Sequence, residues 1–290
     1  MQNGRNVKSM KTHPKNVDIY REIFNWVEIG ELNEESVCFL AENMGMVLNP
    51  NNIKIKSDWK TYKTYRILSE NGDILFYIKE IWERGAIREI LGLKLGSILD
   101  PHMLPANYLF GQYYPQKSKK EKGNERIQAV PFVATITVPG SPLSKKDVEK
   151  FAFLFGRQYT FCRWLSLYDC NDRHFFLGSD GFIRRIDFGL SFSDLNRSYQ
   201  GFDLFFPKTL FNNPEFKRGA EFQKQLSAIR FDAVYDDFLA DLDKLNKLKE
   251  DDLFDLKITN FKQNLIEYWR REGFLNEKYR PKPVDKFILL

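Results

Sequence analysis

Along the first third of the chain the spacing of apolar and polar positions changes period more than once. Ile19–Leu48 spaces its apolar residues as two short amphipathic helices on either side of Gly30. Ile53–Lys56 then alternates apolar and basic residues, Tyr62–Leu68 is a second strand-like run, and Ile74–Ile81 is a third. Asn71-Gly72, between the last two, is the dipeptide best suited to a tight hairpin turn. Ala86–Leu99 returns to helical spacing. An apolar stretch follows at Tyr108–Tyr114. Pro115–Arg126 is charged and has no large apolar side chain, which predicts an exposed loop. Ile127–Val138 reads as a strand, and Pro139-Gly140-Ser141-Pro142 breaks the pattern.

Beyond that break the character of the chain changes. Ser144, with Asp147 three residues on, predicts the cap of a long helix running towards Ser166. Phe175–Leu177 and Phe182–Ile186 are two short strands around the turn Gly178-Ser179-Asp180-Gly181. From about Gly201 the pattern is mostly helical, most clearly at Arg230–Leu248 and Leu256–Glu272. Strands first and helices later predict an α+β protein. Its expected parts are a helical extension over 1–50, a sheet-bearing unit over 51–140 and a mainly helical unit over 141–290.

Composition narrows the class. The 290 residues are 43% hydrophobic and include 26 Phe, ample for a core and inconsistent with disorder over most of the chain. No apolar run approaches the roughly 18 residues of a membrane-spanning helix. The polar, basic opening segment lacks the apolar stretch of a secretory signal. Three cysteines, Cys38, Cys162 and Cys170, without Cys-x-x-Cys spacing, argue against a disulfide framework or structural zinc site, so a cytoplasmic setting is expected. The net charge of +5 is spread through the chain apart from clusters near the start and around Lys117–Lys122. A nucleic-acid surface concentrates its charge more than this, so none is expected.

The chemistry concentrates in residues 167–192, LYDCNDRHFFLGSDGFIRRIDFGLSF. Asp169 is followed five positions later by His174, and Asp187 stands thirteen beyond that, leading into Phe188-Gly189. Phosphoryl transfer of the kinase kind needs polar groups in this order: a carboxylate at the acceptor hydroxyl, a metal-holding side chain, then, after a β-hairpin, a carboxylate that chelates the phosphate-bridging metal. The reaction is mainly positioning plus neutralisation of phosphate charge, so hard ligands must converge on the cation. In the first half, Lys79 lies in the third strand, where it would clamp the α/β-phosphates. Glu89, ten residues on in the following helix, would hold it by an ion pair.

On these residues the sequence resembles the protein-kinase-like superfamily. Its atypical branch fits best, the phosphatidylinositol 3-/4-kinase-like group with its HipA-like bacterial relatives. The resembling stretches are Thr64–Leu99 and Leu167–Phe192; Asp172-Arg173-His174 looks like the group's catalytic loop, and Ile186-Asp187-Phe188-Gly189 like its metal motif. The resemblance implies two lobes, a small antiparallel-sheet lobe with one helix and a mainly helical lobe. It also implies ATP with Mg²⁺ or Mn²⁺.

Two registers of the catalytic loop are open. Asp172 as the acid puts Leu177 where the group carries its metal-binding Asn. Asp169 as the acid puts His174 there and leaves Phe175–Leu177 as the following strand, and this register is preferred. Imidazole suits Mn²⁺ or Zn²⁺ better than Mg²⁺. In place of a glycine-rich loop stands KSDWKTY, where Ser57 and neighbouring amides would meet phosphate. Backbone groups of Phe132–Ile136, in particular Val133 and Ala134, are expected at adenine. The acceptor stays open among a protein hydroxyl, an inositol lipid and a small molecule, as does AMP transfer. A catalytically silent nucleotide-binding scaffold is the alternative.

The rest of the chain is read more plainly. The Lys117–Arg126 cluster is expected to be solvated. Phe202–Pro207, at the distance of an activation segment, is expected to pack on the helical part. Trp82, Trp164 and Trp269 are expected in the core, and His102 has no partner at a recognisable spacing. No Ser-His-Asp order, His-Glu-x-x-His or Walker A sequence is present.

Overall fold

The computed structural model describes residues 10–11, 17–59, 63–81, 83–105, 107–115, 119–121, 124–127, 129–138, 140–167, 174–189, 191–192, 195, 208–246 and 261–275. The described part is a mixed α+β structure built on a six-stranded sheet. Its strands are β2 (Val27–Glu28), β3 (Ile53–Trp59), β4 (Lys63–Ser69), β5 (Ile74–Glu80), β6 (Tyr108–Tyr113) and β9 (Val130–Ile136), in the order β2-β6-β9-β5-β4-β3. All pairings are antiparallel except the edge pair β2–β6. Gly72 makes the β4–β5 turn with φ +89°, a conformation side chains rarely adopt.

Alternation assigns the two faces. On one, Tyr65, Ile67, Phe76, Ile78, Leu109 and Phe132 pack with Val37, Leu40 and Ala41 of helix α2 (Glu34–Asn43). Asn33 and Ser36 close a reciprocal cap at the start of α2, which fixes where it begins. On the other face Ile81, Phe110 and Val133 join a larger core with α3 (Glu83–Leu99) and the later helices α4 (Ala152–Trp164), α5 (Pro214–Asp232), α6 (Tyr235–Asn246) and α7 (Phe261–Arg271). Trp164 and Trp269 are fully buried there, as expected, while the Trp82 side chain lies outside the described residues.

Several expectations need correction. The charged segment after Pro115 is not a plain loop: it holds β7 (Lys119–Glu121) and β8 (Asn124–Ile127), paired antiparallel, with β1 (Met10–Lys11) parallel to β8. Main-chain pairing needs no apolar side chain, so composition did not reveal it.

Residues 1–50 are not an appended extension. Helix α1 (Val17–Phe24) sends Tyr20, Ile23 and Phe24 into the larger core, and β2 extends the sheet. Ser144 does not start a long helix: its amide and hydroxyl both donate to Asp147, holding that carboxyl below its usual range, and α4 begins only at Ala152. The pattern at Arg230–Leu248 is broken at Ala233–Val234, between α5 and α6. The hairpin of β11 (Phe175–Leu177) and β12 (Ile183–Arg185) is present, joined by β10 (Ser141–Pro142).

Candidate functional site

The site is built where the sheet, α3 and the β11–β12 hairpin meet. Lys79 lies on β5, between Thr64 of β4 and Val133 of β9. Its ammonium donates to Glu89 Oε2 at 3.0 Å and to Asp187 Oδ1 at 3.2 Å. Residues 79, 89 and 187 therefore converge from a strand, a helix and the segment after a hairpin. Glu89 is nearly buried and also accepts from the main chain of Phe188. Close packing of α3 on the Asp187 segment requires Gly92: a Cβ there would stand 2.2 Å from Ser191 Oγ and 3.4 Å from Phe188 Cβ.

Asp187 is the exposed member, with 44% of its side chain open, and its backbone is left-handed at φ +66°. Aspartate enters that region more readily than most residues, at some energetic cost. His174, the residue before β11, is buried, with Nε2 3.8 Å from Asp187 Oδ2. Ile186 donates its amide to the His174 carbonyl, so the ladder itself sets this spacing.

Charge shapes the cluster. Burial opposes the Lys79 cation, but the carboxylates of Glu89 and Asp187 outweigh it and hold the amine above its usual range. Burial raises the Glu89 carboxyl above the ordinary range even though Lys79 counteracts it. For Asp187 burial acts upward as well, yet Lys79 and His174 prevail and hold the carboxyl low. Asp187 is thus the stable anion facing solvent.

Other expected site residues fall elsewhere. Asp169 and Asp172 lie outside the described residues. Ser57 pairs with Tyr65, and through it with Ile78, so it stands on the face opposite Lys79 and cannot share a ligand with it. Val133 and Ala134 are buried inside the sheet, paired on one side with Lys79 and Ile78 and on the other with Phe110 and Leu109. Their main-chain groups are committed to the ladders, which removes them as base contacts. Val138, just past the end of β9, takes part in none of these ladders.

Sequence reasoning missed two features. Arg185 is fully buried beneath the site, donating to the Asp187 carbonyl at 3.4 Å with its guanidinium 5.3 Å from the Phe175 ring centroid. Its shared parity with Ile183 in a half-buried strand was the available signal. Arg66 donates one hydrogen bond to Asp58 Oδ1 at 3.0 Å and brings its Nε within 2.8 Å of Oδ2 as an ion pair, on the Lys79 face of the sheet. That pairing depends on register, which the sequence alone did not give.

No protein-family model and no curated protein matches the chain. Among the described residues, no helix is long and apolar enough to cross a membrane.

No group of three or more His, Cys, Asp or Glu side chains that could hold a metal gathers among the described residues. Asp187 and His174 nevertheless form a donor pair, one carboxylate and one imidazole 3.8 Å apart. That set fits a divalent cation taking its remaining oxygens from phosphate and water, as Mg²⁺ does at nucleotide sites, with the imidazole tilting preference towards Mn²⁺.

Proposed function

We propose that the chain is an ATP-dependent phosphotransferase with a two-lobed, protein-kinase-like fold. The observation that carries the reading is the single ammonium of Lys79 bonded to both Glu89 and Asp187. A lysine clamped by a helix carboxylate beside an open, stable aspartate suits a triphosphate and its cation. Lys79, oriented by Glu89, would contact the α/β-phosphates. Asp187 and His174 would hold the cation, which when bound neutralises charge on the transferring group. Asp169, in the preferred register, would take the proton of the acceptor hydroxyl, a protein side chain or a small molecule. Val138, at the exit of the sheet, replaces Val133 and Ala134 as the main-chain contact offered to adenine. Cys38 and Cys162, which form no disulfide among the described residues, suit a cytoplasmic setting.

A second reading, a nucleotide-binding scaffold without transfer, draws on the buried imidazole of His174 at the second metal position. Thermal-shift titration with ATP and either Mg²⁺ or Mn²⁺, followed by product analysis, separates the two. The transferase reading expects a ligand-induced shift, turnover to ADP, and loss of both in Asp187→Asn. Binding without turnover favours the scaffold, and release of pyrophosphate signals AMP transfer. No shift with either metal refutes the nucleotide site.

A further inference from the structure

Far from Lys79, the same helix and hairpin are joined a second time. Asp100, the residue that follows α3, is fully buried yet fully engaged. Its Oδ2 accepts from Arg157 of α4 at 2.5 Å, and its Oδ1 accepts from the His102 amide at 3.2 Å and from Arg230 of α5 at 3.3 Å. Arg230 also donates to the Leu99 carbonyl, capping the C-terminus of α3 with a cation. Asp100 thereby fixes the short turn Pro101–Met103, and that turn presents the His102 ring.

The ring is stacked on Phe182, with centroids 4.7 Å apart and planes 17° from parallel, and the Arg157 guanidinium lies 5.5 Å from the Phe182 ring centroid. Phe182 immediately precedes β12, the strand that leads to Asp187. Gln158 of α4 donates to the Ile183 carbonyl, holding the same end of that strand.

The two spans between these junctions match. From Glu89 to Asp100 the helix rises about 16 Å, and from Phe182 to Asp187 an extended chain covers about the same length. Helix and strand are closed at one end by Lys79 and at the other by the His102–Phe182 stack. A shift at the stack would be carried along these two elements to the carboxylates at the opposite end.

We propose that His102 and Phe182 are positioning residues: their stack, held by the Asp100–Arg157 pair, sets the separation of Glu89 and Asp187 that Lys79 must bridge. The inference rests on the nucleotide-site reading above and assigns the pair no contact with nucleotide. Neither side chain belongs to a hydrophobic core, and His102 is exposed, so both can be changed without opening the interior.

The test measures ATP affinity with Mn²⁺ by calorimetry, together with the ligand-free unfolding midpoint, for wild type, His102→Ala, Phe182→Ala, the double variant and Phe182→Tyr. The expected result is ATP binding about 3- to 30-fold weaker in each alanine variant, with the double variant no worse than the singles. Phe182→Tyr restores wild-type affinity, and the His102→Ala midpoint stays close to wild type. A lowered midpoint with unchanged affinity, or fully additive losses in the double variant, would overturn the clamp while leaving the nucleotide site standing. Wild-type protein that binds no ATP would overturn both.

Discussion

Replacing Lys79 by Met isolates what the central ion pair contributes. At 3.0 Å the Lys79–Glu89 attraction amounts to about 5 kcal/mol for an effective dielectric constant of roughly 20. Desolvation of the two groups offsets much of this, but deleting one partner leaves the other charge buried without compensation, at a cost of about 3–5 kcal/mol. Lys79 keeps 21% of its side chain exposed, and Glu89 retains its Phe188 main-chain bond, so the lower end applies, about 3 kcal/mol near neutral pH.

The sign of the pH dependence follows from Glu89. Its folded-state pKa already lies above the ordinary value and rises further without the lysine. Between the unfolded and folded values the native state binds the extra proton, so the variant loses stability as pH rises through that window and regains it on acidification. Urea unfolding followed by tryptophan fluorescence, at about pH 7.5 and about pH 5.5, should show the Lys79→Met deficit shrinking at the lower pH. Lys79→Met combined with Glu89→Gln should cost less than Lys79→Met alone. A single-variant deficit below about 1 kcal/mol, or one that grows on acidification, would refute the picture of a buried pair whose charges depend on each other.

Two further changes probe the packing around the site. Gly92→Ala gains helix propensity but drives a Cβ into Ser191, so a net loss of about 1–2 kcal/mol is expected in chemical denaturation; an increase in stability would mean that α3 does not approach Phe188 this closely. Asp187→Asn keeps a residue that tolerates φ +66° and should remain more stable than Asp187→Ala by about 1 kcal/mol, read from paired thermal unfolding curves; equal stabilities would argue against the left-handed backbone.

Much of the sheet was legible because it depends on local rules. The alternation at Ile53–Lys56 and Ile74–Ile81 and the Asn71-Gly72 turn identify β3, β4 and β5, and the spacing from Lys79 to Glu89 anticipates a contact that the folded chain makes. The Phe175–Leu177 and Phe182–Ile186 hairpin was legible for the same reason.

What escaped depends on long-range register. Ser57 looked suitable for phosphate by its order in the chain, yet a single residue of parity puts it on the wrong face. Val133 and Ala134 were legible as strand residues, but nothing local reveals that β6 pairs along their second side. His102 seemed isolated because its partner, Phe182, lies eighty positions away in the chain.

The larger apolar cluster runs without interruption from Phe110 and Val133 of the sheet, through Leu95 and Leu99 of α3, to Trp164, Phe231 and Trp269 of the helices. Sheet and helices share this cluster and should therefore unfold together, which calorimetry would record as a single endotherm. Cutting the chain near Gly140 would yield fragments that each expose half of a shared interior and aggregate instead of folding.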